Sequence, residues 1–303
     1  MKLSNNRKAV IALIIANIIW GAAPPIFKWA LEDIGPYTLA FLRFAIATIT
    51  IIPFLKGNFR IKPKDYFGVF LMGFFGVTIN IIFFFQGLLY APSINASIIA
   101  SAAPVFIVLF ALLFLKEKPK IRVILGSFFG LVGVLLFLVF PFIRTGSLSS
   151  SFGNLLFLIA TLGAIISVIV GREVLKHNNA LSVTFWTFLI GTLGFIPLFT
   201  DEVGTLGFLP NLTNHAIIGI AFGAILSSFV AYLFHNFALK YLTASDVGVF
   251  AYMDPVVTVL IAIPLLGEFP DLLFTIGATL VFGGIFIAEG RIHYHPIHRF
   301  FGK

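Results

Sequence analysis

Residues 104–133, PVFIVLFALLFLKEKPKIRVILGSFFGLVG, return 151 positions later as residues 255–284, PVVTVLIAIPLLGEFPDLLFTIGATLVFGG. Pro104 falls on Pro255, Glu117 on Glu268, Pro119 on Pro270, Gly126 on Gly277 and Gly133 on Gly284. Apolar bias alone does not match proline, glutamate and glycine in register. Working outward, the same offset pairs Gly68 with Gly219 and Tyr90 with Tyr241, and an offset of 144 pairs Lys28 with Arg172, Phe41 with Phe185 and Pro53 with Pro197. The chain is two copies of one unit.

What the unit is made of follows from composition. Of 303 residues, 59% are hydrophobic and 11% charged, with a mean hydropathy of +1.07. Soluble globules average about 45–50% apolar and about 25% charged residues, so a water-soluble enzyme is excluded. The absence of cysteine removes disulfide scaffolds, thiolate nucleophiles and Cys-ligated metal sites. Crossing a hydrocarbon core takes roughly 20 apolar residues, and ten such runs occur: 9–30, 37–56, 66–89, 94–115, 121–142, 152–175, 180–199, 215–239, 244–266 and 271–289. The fold class expected is all-α and polytopic, with ten transmembrane helices. The first five-helix unit occupies 9–142, the second 152–289, and a cytoplasmic tail 290–303 follows. The longest polar connections, 143–151 and 200–214, are too short for a soluble domain. The first span follows Lys2, Arg7 and Lys8, but it is too long for a signal-peptide core and carries Trp20, two prolines and Lys28 at its far end, so it is read as retained.

Five is odd, so the second unit enters the membrane from the opposite side and the copies are inverted. Inverted repeats are the common architecture of secondary transporters, with a site near the midplane where the copies meet. Charge sets the orientation. With the N-terminus cytoplasmic, 17 of the 20 Lys and Arg residues fall on the inside and Arg144 alone in an outside loop, as the positive-inside rule requires. Glu32, Asp33, Asp201, Glu202, Glu268 and Asp271 lie outside. Both termini are expected in the cytoplasm. The net charge of +8 is thereby accounted for, leaving no independent case for nucleic acid.

Trp20-Gly21 followed by Lys28, Arg43 inside the second span, and the duplicated Pro…Glu…Gly block resemble the drug/metabolite transporter superfamily, within it the ten-helix EamA-type transporters. The resemblance covers roughly 9–289. It implies an inverted-repeat fold and transport of small metabolites such as amino acids. The second copy departs from the pattern, with Ala164 opposite Trp20 and Thr187 opposite Arg43, which makes those two positions candidates for asymmetric, substrate-side roles.

Ionisable groups at membrane depth are costly, about 2.5–3.5 kcal/mol on insertion scales, so the few present are the candidate site. Asp254 lies about eight residues into the ninth span, roughly 12 Å along it at 1.5 Å per residue, and Pro255 removes a backbone donor beside it. It reads as a substrate-amine or proton site, or as a structural counter-ion. Arg43 offers a bidentate fork to a substrate carboxylate, a partner for Asp254, or a side chain that snorkels to the outer surface. His235, with Tyr232 and Asn236 on the same face near the inner end of the eighth span, is a candidate for proton coupling or a headgroup-level residue. Asn17, Asn80 and Gln86 are read first as interhelical hydrogen-bonding groups and second as substrate contacts. Pro24 and Pro25 are expected to interrupt the first helix near its outer end and make it part of a gate.

No phosphate-cradling GxxxxGK[ST], HExxH or Ser/His arrangement occurs. Gly126-x-x-x-Gly130 and Gly219-x-x-x-Gly223 are close-packing motifs. The tail imidazoles His293, His295 and His298 are read as solvated, and Asn211-Leu212-Thr213 as a glycosylation pattern relevant only in a secretory host. The function expected is a secondary transporter moving a small metabolite by alternating access, in a bacterial inner membrane, without cofactor or metal. A passive channel or scaffold is the alternative. Trp20, Arg43, Asn80, Tyr232 and Asp254 are the expected substrate contacts, and His235 and Asp254 the coupling candidates. The expected partners are the bilayer and a small-molecule substrate, with a homodimer left open.

Overall fold

The computed structural model describes residues 5–103, 105–106, 121–146, 148–206, 213–242 and 250–289. The Lys116–Pro119 block, Asn211-Leu212 and the tail 290–303 lie outside them. The described residues are helical, with no strand among them. In chain order the helices are α1 Asn5–Ala30, α2 Pro36–Leu55, α3 Pro63–Tyr90, α4 Ser93–Ser101, α5 Ile121–Thr145, α6 Ser149–His177, α7 Ala180–Leu206, α8 Asn214–Tyr241, α9 Met253–Leu266 and α10 Leu272–Glu289. Seven of these are long and apolar enough to cross a membrane, and α9 and α10 are shorter apolar helices. The chain is an all-α polytopic membrane protein.

Local signals set the ends. Pro36 at the first position of α2 has its φ preset for a helix. The chain leaves α2 through Lys56 at φ 47° and Gly57 at φ 79°, and leaves α9 through Gly267 at φ 66°, left-handed conformations that favour glycine. Thr213 caps α8, its hydroxyl accepting from the Ala216 N–H. Two further helix starts are capped from a distance. Glu202 of α7 accepts the Tyr37 and Thr38 N–H groups of α2, and Glu268 accepts the Ile94 N–H of α4.

The halves pack as the repeat requires. α2 packs on α7, α4 on α9 and α5 on α10, each pair being one helix and its own copy. Further cross-half contacts come in exchanged pairs: α3 on α6 with α8 on α1, α2 on α8 with α7 on α3, and α1 on α9 with α6 on α4; α5 also packs on α6, the next helix in the chain. Thr48 faces its counterpart Thr192 at 3.5 Å across the axis. The α5–α10 crossing is the tightest. A Cβ at Gly126 would lie 2.3 Å from the Gly284 carbonyl oxygen, and one at Gly133 would lie 2.8 Å from that of Gly277, so the glycines interlock crosswise. Lipid gives helices no hydrophobic reason to associate, and small residues allow the backbone approach that replaces it.

The bundle has two polar ends. At one, Asn178 after α6 accepts from Lys62 N–H and donates to Asp65, while Ser182 donates to the Asn58 carbonyl and Trp186 to that of Phe59. At the other, Lys28 at the end of α1 meets Glu268 after α9, and Arg144 of α5 meets Asp271. α6 therefore ends beside the end of α2, whereas α1, its repeat partner, ends at the opposite face. The two five-helix repeats are inverted.

Two sequence expectations are corrected. The seventh helix does not stop at 199. It runs on to Leu206, with Glu202 bonded to the start of α2, so Asp201 and Glu202 sit in a helix and not in the connection expected at 200–214. Nor do Pro24 and Pro25 interrupt α1, which is helical through both. Pro25 cannot bond the Gly21 carbonyl one turn back, but the Thr258 hydroxyl of α9 reaches that oxygen at 2.7 Å, sharing its one proton between it and the Asp254 carbonyl at 2.8 Å, so a donor is offered from outside the helix.

Candidate functional site

Four backbone irregularities meet where the repeats meet. α3 passes through a π-helical stretch at Phe74–Ile79 and α8 through one at Phe222–Val230. α4 ends at Ser101, its cap Ala102 having ψ 0°, and α9 begins at Met253 after a turn at 251–252. These pairs are related by the repeat offset of 151. Such stretches turn backbone carbonyls away from their own helix. The two freed groups are repeat equivalents: Trp20 Nε1 donates to Ser227 O at 3.0 Å, and Tyr232 Oη donates to Gly76 O at 3.4 Å.

Together they border a cavity of about 620 Å³, within the range of small-molecule sites, about 300–1,000 Å³. Trp20, Arg43, Asn80, Tyr232, Asp254 and His235 all line it, as does Pro24; Pro25 is buried in α1 without reaching it. At one end the lining includes Phe27, Phe84 and Phe157, and at the other Met72, Val168 and Leu239.

Arg43 is 2% exposed. Its guanidinium carbon lies 4.7 Å from the ring centres of both Phe27 and Phe44. Nε donates to Ser228 Oγ at 2.7 Å and one Nη to Ser227 Oγ at 3.1 Å. Two of its five N–H donors are thus placed on hydroxyls, and no carboxylate pairs with it among the described residues. The expected pairing with Asp254 is not formed. Snorkelling is ruled out by the same geometry, since the head group is clamped between rings inside the bundle. Asp254 lies in the first turn of α9, and its Oδ1 is buried with no hydrogen-bond partner.

His235 lies with its ring 4.9 Å from that of Trp20, and its Nδ1 is likewise buried and unpartnered. It belongs to the cavity wall and not to a headgroup-level helix end. The polar face read from sequence lines the cavity as a whole: Tyr232 and His235 turn inward around Trp20, and Asn236, also in the lining, donates to Thr184 of α7. Asn80 bridges helices by donating to the Ala160 carbonyl, and Asn17 bonds back to Leu13 within α1.

Sequence reasoning missed Ser227 and Ser228, which hold Arg43. Two adjacent hydroxyls inside the apolar run FGAILSSFVAY were the available signal. It also missed the cluster at the Lys28 end. There burial pushes the Glu268 carboxyl up, but hydrogen bonds from Lys28 and Ser93 outweigh it and hold the group below the ordinary carboxylate range.

The profile of the EamA-like transporter family matches this chain twice, over residues 7–139 and 151–289. An "Uncharacterized transporter" of Archaeoglobus fulgidus is 31% identical over 281 residues, covering 92% of this chain and 98% of that one. The "Uncharacterized transporter YyaM" of Bacillus subtilis is 30% identical, covering 93% of each. A "Probable terminal-alkyne amino-acid exporter" of Streptantibioticus cattleyicolor is 25% identical, covering 96% of this chain and 95% of that one. A crystal structure superposes with a TM-score of 0.63 at 19% identity, over 92% of this chain and 96% of that one, a likeness of fold alone.

Proposed function

The chain belongs to the EamA-like transporter family, and from that premise we propose that it is a secondary transporter carrying a small zwitterionic metabolite, an amino acid or close relative, by alternating access. One observation carries the reading. A single cavity is lined by a buried guanidinium without a carboxylate and a buried carboxylate oxygen without a donor. Each is costly to hold inside a membrane protein unless a partner arrives. A substrate with a carboxylate and an ammonium group supplies both partners at once: the free N–H groups of Arg43 take the carboxylate, and Asp254 takes the ammonium. Trp20 and Tyr232, fixed by the freed carbonyls of α8 and α3, give the apolar wall between these ends. The exporter name of the Streptantibioticus relative points to the same class.

The N-terminal face is taken as cytoplasmic on the count of 17 basic residues against one, and the membrane as a bacterial plasma membrane. Energy comes from a gradient. When Asp254 holds no ammonium, a proton supplies its missing positive charge, with His235 on the same wall as a second proton-accepting group, which would couple transport to protons. The inverted repeats give two nearly equivalent packings between which the cavity changes sides.

The test is a thermal-shift screen of the detergent-purified protein against amino acids, nucleosides, purines and polyamines, followed by uptake into proteoliposomes. Amino acids are expected to raise the melting temperature, and unlabelled amino acid inside the vesicle to stimulate uptake. Stabilisation by polyamines or nucleosides alone would overturn the zwitterion reading. Flux without saturation or trans-stimulation would replace the carrier by a channel.

A further inference from the structure

The cluster beyond the cavity on the Lys28 face is used by nothing described so far. Lys28 Nζ donates to Glu268 Oε1 and to the Ala91 carbonyl, both at 2.8 Å. Ser93 Oγ donates to Glu268 Oε2 at 2.6 Å, and the Ile94 N–H to the same oxygen at 3.2 Å. Four helix ends are tied by these bonds: those of α1, α3 and α9, and the start of α4. Side-chain exposure is 29% for Lys28 and 13% for Glu268. The pair is therefore partly desolvated, where a charge-assisted bond is stronger than at an open surface.

Position gives the cluster its meaning. Phe27, the residue before Lys28, lines the cavity, and Ala96, three residues after Ser93, lines it too. The cluster thus adjoins the cavity wall on the Lys28 face without being part of it. Lys28, Ala91 and Ser93 belong to the first repeat and Glu268 to the second, so the layer fastens one repeat to the other. The repeat equivalent of Lys28 at the opposite face is Arg172, which is exposed. The opposite end is also bonded across the repeats, through Asn178, Ser182 and Trp186, and the Lys28 cluster is a tie at the end that the basic-residue count places outside.

We infer that Lys28 and Glu268 form the outer latch of the transport cycle: their bond, with Ser93 and the start of α4, holds the cavity closed to the outside, and outward opening requires its rupture. The inference rests on the alternating-access reading and orientation proposed above. Any rocking of one repeat against the other that opens this face separates Glu268 from Lys28 and Ser93 together. Loss of either charge therefore favours the outward-open state without altering any group that lines the cavity.

The cysteine-free sequence makes the test direct. Ala96→Cys places a thiol on the cavity wall, and a membrane-impermeant maleimide is applied to intact cells and, separately, to inverted vesicles. Lys28→Met and Glu268→Gln are expected to raise the labelling rate from outside roughly tenfold and lower it from inside, as loss of one charge-assisted hydrogen bond shifts a two-state equilibrium. The exchanged pair Lys28→Glu with Glu268→Lys is expected to return both rates toward the parent. Equal rates in parent and variants overturn the latch, and so does a rise from both sides, which reports general loosening. If the charge variants fail to fold, Ser93→Ala removes one bond and no charge, and a rise of about threefold from outside is expected, with no change overturning the inference. Amino-acid stabilisation measured in the same variants keeps the two readings apart: a failed latch leaves it intact, whereas failure of the transport reading removes it from the parent as well.

Discussion

Arg43 shows how much one residue in an apolar run can disclose and where the disclosure stops. A guanidinium in the second span is legible from sequence because its burial is expensive anywhere in a membrane. Its holders are not legible, because serines in membrane helices ordinarily bond their own preceding turn, and only the fold brings Ser227 and Ser228 to it from 184 and 185 residues away. Since those hydroxyls take two N–H groups, the remainder are available to a carboxylate. Arg43→Ala is expected to weaken amino-acid binding roughly 100-fold, the effect of two charge-assisted hydrogen bonds of about 1.5 kcal/mol each. Arg43→Lys keeps charge but loses the planar fork and the stacking between Phe27 and Phe44, and should weaken it about tenfold. Equilibrium binding to purified protein decides, and unchanged affinity in both would remove Arg43 from the site. Asp254→Asn separates the other end. Binding of an amino acid is expected to fall about tenfold or more, while that of the deaminated acid stays level.

Among the elements, α5 and α10 were the most readable and α1 the least. The glycine spacing at Gly126 and Gly130 announces a close helix crossing in the sequence, and the repeat supplies Gly277 and Gly284 as the partners. Gly126→Ala would place a methyl 2.3 Å from Gly284 O and 2.5 Å from Ala288 N, both backbone atoms that cannot step aside alone. The helices must part, and overpacking of this kind typically costs about 1–3 kcal/mol. A drop in the detergent melting temperature is expected for Gly126→Ala and none for Gly204→Ala, where nothing lies within 4 Å. The double proline of α1 was misread for a physical reason. Local rules say that a proline strips a hydrogen bond from the preceding turn, and they are silent on whether a neighbour will restore it. Here Thr258, 237 residues from Gly21, does so. Thr258→Val, nearly the same shape, should therefore destabilise the protein by about 1 kcal/mol, since it removes the donor offered to the Gly21 carbonyl. Loss of a melting shift in this variant would mean that the Gly21 carbonyl is satisfied without it.

At the scale of the whole molecule the repeat, its parity and its inversion were all written in the chain, because each copy must fold the same way and an odd number of crossings leaves no other topology. Which side chains tie the halves at each end was not written there. Both ends bond across the halves, through Lys28, Ser93 and Glu268 at one and through Asn178, Ser182 and Trp186 at the other. Glu268 makes the first of these ties titratable. Its carboxyl is held below the ordinary carboxylate range, so its contribution to latching is complete above the usual glutamate value and is lost as pH falls through the lower, folded value. Lys28 is the charged group facing it. With Ala96→Cys as reporter, labelling from outside should stay flat from neutral pH down past the usual glutamate range and rise only below it, once the maleimide's own dependence on thiolate is divided out against an exposed cysteine. Glu268→Gln should begin at the raised level and show no such step. A parent protein whose labelling rises already between pH 7 and 5, with Glu268→Gln behaving alike, would place the outward-opening trigger at another group.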